Sequence, residues 1–326
     1  MLATGAAGST QPGQGAAFSL ILGIGDDAAV VRAPDGRVVA TSDMLIEGTH
    51  FRREWSAARD IGHKAAARNL ADIAAMGALP TALLVCFAGP GETSVDWVLD
   101  LARGIAEECA TAGAAVAGGD TSYAQAIMVS ATALGDLAGR EPVTRSGARP
   151  GDVIAVAGSL GAAAAGLALL AAGPSAGPLP AEVRAELIGA HRRPKPPYPA
   201  GAQAAALGAT SMIDVSDGLV ADLGHLAAAS GVRMEVASRR LAAEPLCPVT
   251  SLRAAAEALG RTGWRDWPAS GGDDHALAAT FRRAVVLPER WAVIGEVTDG
   301  GGVVIDGSPW TAGTAEASGG WEHFRS

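Results

Sequence analysis

The chain is poor in lysine, cysteine and aromatic side chains. Its only lysines are Lys64 and Lys195, so no Gly-Lys dipeptide occurs and the phosphate-binding loop built on one is excluded. The three cysteines, Cys86, Cys109 and Cys247, lack paired spacing, which indicates neither a disulfide framework nor a thiolate zinc site and fits a reducing cytoplasm. Aromatic residues make up 4% of the 326 positions and apolar residues 49%, so the cores must be filled by Ala, Val, Leu and Ile. A formal charge of -9 argues against nucleic acid as the main partner, because backbone binding is driven by cationic patches. A small-molecule partner is expected. The uncharged run "VIAVAGSLGAAAAGLALLAAG" at 153–173 is mostly alanine and glycine with an internal Gly-Ser-Leu-Gly break, and reads as a buried strand, turn and helix, not a membrane span. Residues 1–17 lack the basic region and apolar core of a signal peptide and read as a flexible tail.

The length predicts two domains of about 150 residues each. The polar Gly/Pro stretch "TRSGARPGD" at 144–152 is the candidate boundary, giving segments 18–148 and 149–326. In the first, "GIGDDAAVV" and "GRVVATSD" read as a hairpin across "RAPDGR". Residues 58–77 carry apolar residues at helical spacing, closed by Gly77 with Pro80 beyond, and a second helix is expected over 95–112. Strands "TALLVCF", "AAVAGGD" and "AIMVSATALGDL" surround it. The second segment adds "DVIAVAG", helices near 160–172 and 180–191, and an apolar lead into "DVSDGL" with a helix to Gly231. Alternating strands and helices make this an α/β protein with mixed sheets.

Acids gather at the strand ends and turns: Asp26 and Asp27 in "GDDAAV", Asp43 in "TSD", Asp120 in "AGGDTS", Asp214 and Asp217 in "DVSDGL", with Asp72 on the first helix. Any one alone is an ordinary turn or N-cap residue. As a converging set they repel one another unless protons or cations intervene, and hard oxygen donors select Mg²⁺ or Ca²⁺. Mg²⁺ commonly takes phosphate oxygens as further ligands, so a polyphosphate site is expected, with Arg145 and Arg149 available for its charge.

The ordered motifs "GIGDDAAV", "TSDMLIEGTHF", "HKAAARNLADIAAMGA", "AGGDT", "TRSGARPGD", "IDVSDGL" and "GGDDHAL" resemble the thiamine-monophosphate kinases, of the superfamily that includes aminoimidazole ribonucleotide synthetase, selenophosphate synthetase and HypE. The resemblance implies two α/β domains, a homodimer formed through the N-terminal domains, and ATP lying between the domains with thiamine monophosphate as acceptor. It implies Asp27, Asp43, Asp72, Asp120, Asp214 and Asp217 as Mg²⁺ ligands, with Thr41 and Ser42 assisting. It also implies Gly119, Asp120, Arg145 and Ser216 as ATP contacts, and His50, Asp273 and Trp321 as substrate contacts. No general base is expected, since a phosphate monoester with a second pKa of about 6 is mostly anionic near neutral pH.

Three departures stand out. The N-terminal helix of the family is reduced to "GQGAAFSLIL"; the usual Gly-Gly-Glu-Asp-Tyr-Glu-Leu reads "GGDDHAL", with Asp273, His275 and Ala276 substituted; and "TFRRAVVLPERWAVIGEV" is short for the helix expected there. They keep two alternatives open: another ATP-using enzyme of the superfamily, similar to aminoimidazole ribonucleotide synthetase, and a non-catalytic homologue that binds nucleotide or thiamine phosphate.

Overall fold

The computed structural model describes residues 20–24 and 28–310. The first half contains β1 (Leu20–Leu22), β2 (Val30–Val31), β3 (Val39–Ile46), α1 (Ala58–Ala75), β4 (Leu79–Gly89), α2 (Val95–Ala112), β5 (Ala115–Tyr123) and β6 (Met128–Asp136). The second contains β7 (Asp152–Ala157), α3 (Ala162–Ala172), α4 (Ala181–Arg192), α5 (Tyr198–Ala206), β8 (Ser211–Val215), α6 (Leu219–Ser230), β9 (Arg233–Val236) and α7 (Ser238–Leu241). It continues with α8 (Val249–Ala258), α9 (Asp266–Ser270), β10 (Ala276–Arg282), β11 (Trp291–Thr298), β12 (Gly302–Ile305) and β13 (Ser308–Pro309). No helix among the described residues is long and apolar enough to cross a membrane.

A four-stranded sheet, ordered β3-β6-β4-β5, and a seven-stranded sheet, ordered β13-β12-β9-β11-β7-β10-β8, carry the two halves. The expected hairpin does not form. β2 pairs instead with β1, and β3 pairs antiparallel with β6 over its whole length, Val39 opposite Gly135 through Ile46 opposite Met128. An eight-residue ladder satisfies far more backbone groups than the two residues of β2 could.

Helix α1 lies between the sheets. Its small residues let neighbours approach closely: a Cβ at Gly62 would run into the Leu101 carbonyl, and one at Gly104 into that of Arg59. The Ile61, Leu70 and Ile73 side chains join Leu45, Val129, Ala131 and Ala133 from the first sheet and Ala155, Ala157, Leu277 and Phe281 from the second in one core. The other face of the second sheet, with Ile154, Val156, Ile213, Val215 and Ala278, packs on α6. Burial on both faces explains why "VIAVA" reads as an unbroken apolar run. A polar tie reinforces the packing around α1: the Tyr198 hydroxyl donates to Glu108 Oε1 at 2.6 Å, and Glu108 Oε2 lies 2.9 Å from His63 Nδ1.

The first sheet is covered on one face only. Along β3 the residues Val39, Thr41, Asp43 and Leu45 turn towards α1, whereas Ala40, Ser42 and Met44 are exposed. The same open face carries Ser130 and Thr132 of β6, Cys86 of β4 and Asp120 of β5, as the registers Met44–Ser130, Ser130–Cys86 and Cys86–Asp120 require.

Candidate functional site

Four charged residues, Asp60, Lys64, Arg68 and Asp72, repeat every fourth position of α1 and so form one stripe along the helix. That stripe faces the second half of the chain. Asp60 pairs with Arg193, Lys64 Nζ donates to Asp273 Oδ2 at 2.9 Å, and Arg68 Nη1 donates to Asp273 Oδ1 at 3.3 Å. Arg68 Nε also donates to Asp43 Oδ2 at 3.2 Å, while Asp72 Oδ2 accepts a hydrogen bond from Thr41 Oγ1 at 2.8 Å. The backbone N–H of Asp43 donates to Asn69 Oδ1 at 2.8 Å, which fixes β3 against the helix.

Across the seam stand two turns at the ends of neighbouring strands. The turn after β8 holds Asp214, Ser216 and Asp217; the turn before β10 holds Asp273, Asp274 and His275. They are locked together by Asp273 N–H donating to the Ser216 carbonyl and His275 N–H to the Val215 carbonyl, both at 2.8 Å. Asp273 and His275 adopt left-handed backbones, with φ of 66° and 51°, a strained choice for non-glycine residues and of the kind concentrated at functional sites. Gly272 is required between the turns, because a Cβ there would lie 2.6 Å from the Ser216 carbonyl oxygen. Asp222 Oδ2 accepts from the backbone N–H groups of Ser216, Asp217 and Gly218, each at 3.1 Å. Asp274 accepts from Gly161 and Ala163 at the start of α3.

The electrostatics follow from this packing. Burial, then the charges of Asp214 and Asp43, pushes the Asp72 carboxyl up to about 7, against the opposing Thr41 hydrogen bond. Burial likewise raises Asp222 to about 8 and Asp274 to about 7. Asp273 goes the other way: burial raises it, but Lys64, Arg68 and His275 together hold it below the usual carboxylate range. Asp214 is buried and lies 3.1 Å from His275 Nδ1. The His275 Nε2 atom, equally buried, has no hydrogen-bond partner among the described residues.

Of the residues predicted to bind metal, Thr41, Asp43, Asp72 and Asp214 therefore meet at the seam, with Ser216 and Asp217 on the adjoining turn. Ser42 does not join them: its hydroxyl donates to the Ala131 carbonyl and accepts from Thr132 Oγ1 on the open face. Asp120 stands on that face too, three strands from β3, or about 14 Å by strand spacing. Gly119, its neighbour, has no room for a side chain against the Val85 carbonyl of β4. Alternation of side chains along a strand separates Ser42 from Asp43, and sequence proximity concealed it. Arg145 is exposed on the linker, where its carbonyl accepts from Ser230 Oγ. His50 closes the turn after β3, its Nδ1 accepting from the Ile46 N–H at 3.0 Å. Asp27 and Trp321 lie outside the described residues.

Lys64, Arg68 and Asp222 were not singled out as site residues from the sequence, although the spacing of four from Asp60 to Asp72 was available to reveal the first two. Ligand atoms of Asp217, Asp222 and His225 all lie within 4.8 Å of one another; Asp43, Asp72 and Asp214 do not close to that distance. The donors of Asp43, Asp72 and Asp214 are all hard oxygens; Asp43 is bonded to Arg68 and Asp214 to His275, whereas Asp72 is bonded to no cationic side chain among the described residues. That set fits a divalent cation such as Mg²⁺.

Comparison with known proteins bears on what this seam serves. The family model described as AIR synthase related protein, N-terminal domain, matches residues 25–137, and that of the C-terminal domain matches 149–262. A thiamine-monophosphate kinase of Mycobacterium tuberculosis is 49% identical over 94% of this chain and 86% of its own length. The chain belongs to the thiamine-monophosphate kinase family. A second member, from Corynebacterium glutamicum, is 42% identical over 84% of this chain and 81% of its own. The solved family structure of AaThiL complexed with AMPPCP and TMP has a TM-score of 0.78 at 32% identity, covering 92% of both chains.

Proposed function

We propose that this protein transfers the γ-phosphoryl group of ATP to thiamine monophosphate, giving thiamine diphosphate and ADP. The observation that carries the reading is the seam itself, where Asp43 and Asp72 of the first half stand against the turns of Asp214 and Asp273 in the second, with Arg68 bonded to both Asp43 and Asp273. It is supported by the identity with thiamine-monophosphate kinases and by the likeness to the family complex that holds AMPPCP and TMP. Segments 18–148 and 149–326 act as two domains with the substrates between them. Asp27, Thr41, Asp43, Asp72, Asp214 and Asp217 hold Mg²⁺ at the seam, and Gly119 and Ser216 contact ATP; Ser42 and Asp120, on the open face of the first sheet, and Arg145, on the linker, serve metal and nucleotide apart from that seam; His50, Asp273 and Trp321 contact the acceptor. Bound Mg²⁺ supplies charge neutralisation and polarises the phosphoryl oxygens.

The chain's own residues supply positioning. A phosphate oxygen of the acceptor, already anionic, attacks the γ-phosphorus in line, the new P–O bond forms, and the bond to the β-phosphate oxygen breaks as ADP leaves. No side chain has to remove a proton. Thr41 and Asn69 hold Asp72 and β3 in place, while Lys64 and Asp273 anchor the substrate-side turn to α1. We further propose a homodimer through the open face of the first sheet, where Met44 is 41% exposed on the edge strand β3, and a cytoplasmic location. The test is direct: incubate the purified protein with ATP, Mg²⁺ and thiamine monophosphate and look for thiamine diphosphate by chromatography. Its absence, with turnover on another acceptor or with binding alone, overturns the reading.

A further inference from the structure

Arg68 and Lys64 are both cations on the same face of α1, yet they are held differently. Lys64 is 3% exposed in its side chain and makes one contact, 2.9 Å to Asp273. Arg68 is 13% exposed and divides itself between Asp43 at 3.2 Å and Asp273 at 3.3 Å, one donor to each. A guanidinium offers five donors in a rigid fork, and its strong mode is the paired, bidentate one. Here two donors are engaged, singly and near the long end of the hydrogen-bond range. If Arg68 moves away, Asp273 keeps Lys64 as its counter-ion, whereas Asp43 loses the one cation bonded to it among the described residues.

We propose that Arg68 is a displaceable counter-ion: it covers the ligand oxygen of Asp43 in the metal-free protein, and releases it to turn its fork onto a phosphate oxygen of the substrate. The inference rests on the reading of Asp43 as a metal ligand. A guanidinium and a divalent cation cannot share one carboxylate oxygen without repelling each other, so metal alone competes with Arg68. A phosphate gives the displaced fork a better partner, so metal and phosphate bind cooperatively through this residue. Arg68 is thus a positioning residue that discourages metal from settling before substrate is present.

The experiment is a Mn²⁺ titration of the full chain followed by electron paramagnetic resonance, with the metal alone and again with saturating thiamine monophosphate. R68Q is expected to bind Mn²⁺ alone about tenfold more tightly than wild type, the worth of one lost charge-assisted competitor. It should also lose the gain that thiamine monophosphate gives the wild type. Unchanged or weaker Mn²⁺ binding by R68Q overturns the proposal. Should R68Q not fold, R68K serves, since an ammonium cannot span both acids; it is expected to bind about threefold more tightly, and no gain overturns the idea equally. D43N separates the two readings. If D43N leaves Mn²⁺ binding intact, Asp43 is not a ligand and the functional reading fails; if D43N weakens it while the Arg68 variants change nothing, only the counter-ion role fails.

Discussion

Thr41 Oγ1 donates a 2.8 Å hydrogen bond to Asp72 Oδ2, tying the edge strand β3 to helix α1 at the point where the second half of the chain closes over both. The bond opposes the rise in the Asp72 pKa that burial and the neighbouring Asp214 and Asp43 charges produce. Thr41→Val is expected to lower kcat by about tenfold, the worth of one charge-assisted hydrogen bond of about 1.5 kcal/mol, with little change in secondary structure by circular dichroism.

Asp43→Asn and Asp120→Asn are each expected to reduce kcat by about a hundredfold or more while leaving the fold intact, as loss of a group that organises transition-state charge does. Steady-state assays at limiting Mg²⁺ check this. Wild-type kcat in Asp43→Asn would remove the seam from the mechanism; wild-type kcat in Asp120→Asn would leave the seam standing and remove Asp120 from the mechanism.

Stability in the absence of divalent cations should depend on pH with a definite sign. Asp72 has a folded pKa of about 7 against 3.8 for the free side chain, so the folded state holds its proton longer than the unfolded one. The penalty is absent below about pH 4, grows as pH rises towards 7, and is complete above it; Asp222 and Asp274 act in the same sense up to about 8 and 7. The melting temperature is expected to fall across that window in EDTA. Mg²⁺ with ATP should restore part of it, because binding to the folded state offsets the carboxylate repulsion. In Asp72→Asn the Mg²⁺-dependent part should vanish, and an undiminished response there would refute the assignment.

Lys64→Met leaves a partly buried Asp273 with a weaker partner and is expected to cost about 3 kcal/mol in urea unfolding, the penalty for breaking a buried ion pair from one side. Adding Asp273→Asn should recover most of that loss, because a neutral amide needs no counter-ion and still tolerates the left-handed backbone at this position. A double-mutant cycle with additive effects would show that Lys64 and Asp273 do not couple.

Met44→Glu places a charge on the open sheet face and is expected to convert the proposed dimer to monomer in analytical ultracentrifugation, with the unfolding free energy of the single chain changed by less than about 1 kcal/mol since the residue is exposed there. A wild-type protein that sediments as a monomer at micromolar concentration would dispose of the dimer.

Much of this was legible before any fold was known. Periodicity placed α1 and α2 within a residue or two, since Gly77 and Gly113 end them with left-handed turns that other residues rarely adopt. The unbroken apolar run of β7 announced a buried strand, and the fold covers it on both faces. Local composition also marked the acidic turns as exceptional, because nothing in ordinary turn chemistry asks for so many unpaired carboxylates. The hairpin failed for a reason outside that local range: β3 had a longer partner in β6, more than eighty positions away.

Residue types and short-range spacing were therefore enough to predict mixed sheets and to single out most of the acids that gather at the seam. Which oxygens share a space was decided only when the chain folded. Pleating sends Ser42 and Asp43 to opposite faces although they are adjacent, and docking of the second sheet brings Asp273 onto Lys64 and Arg68 from over two hundred residues away. Charge proximity depends on distance in space, and distance in space is a property of packing that no linear pattern carries.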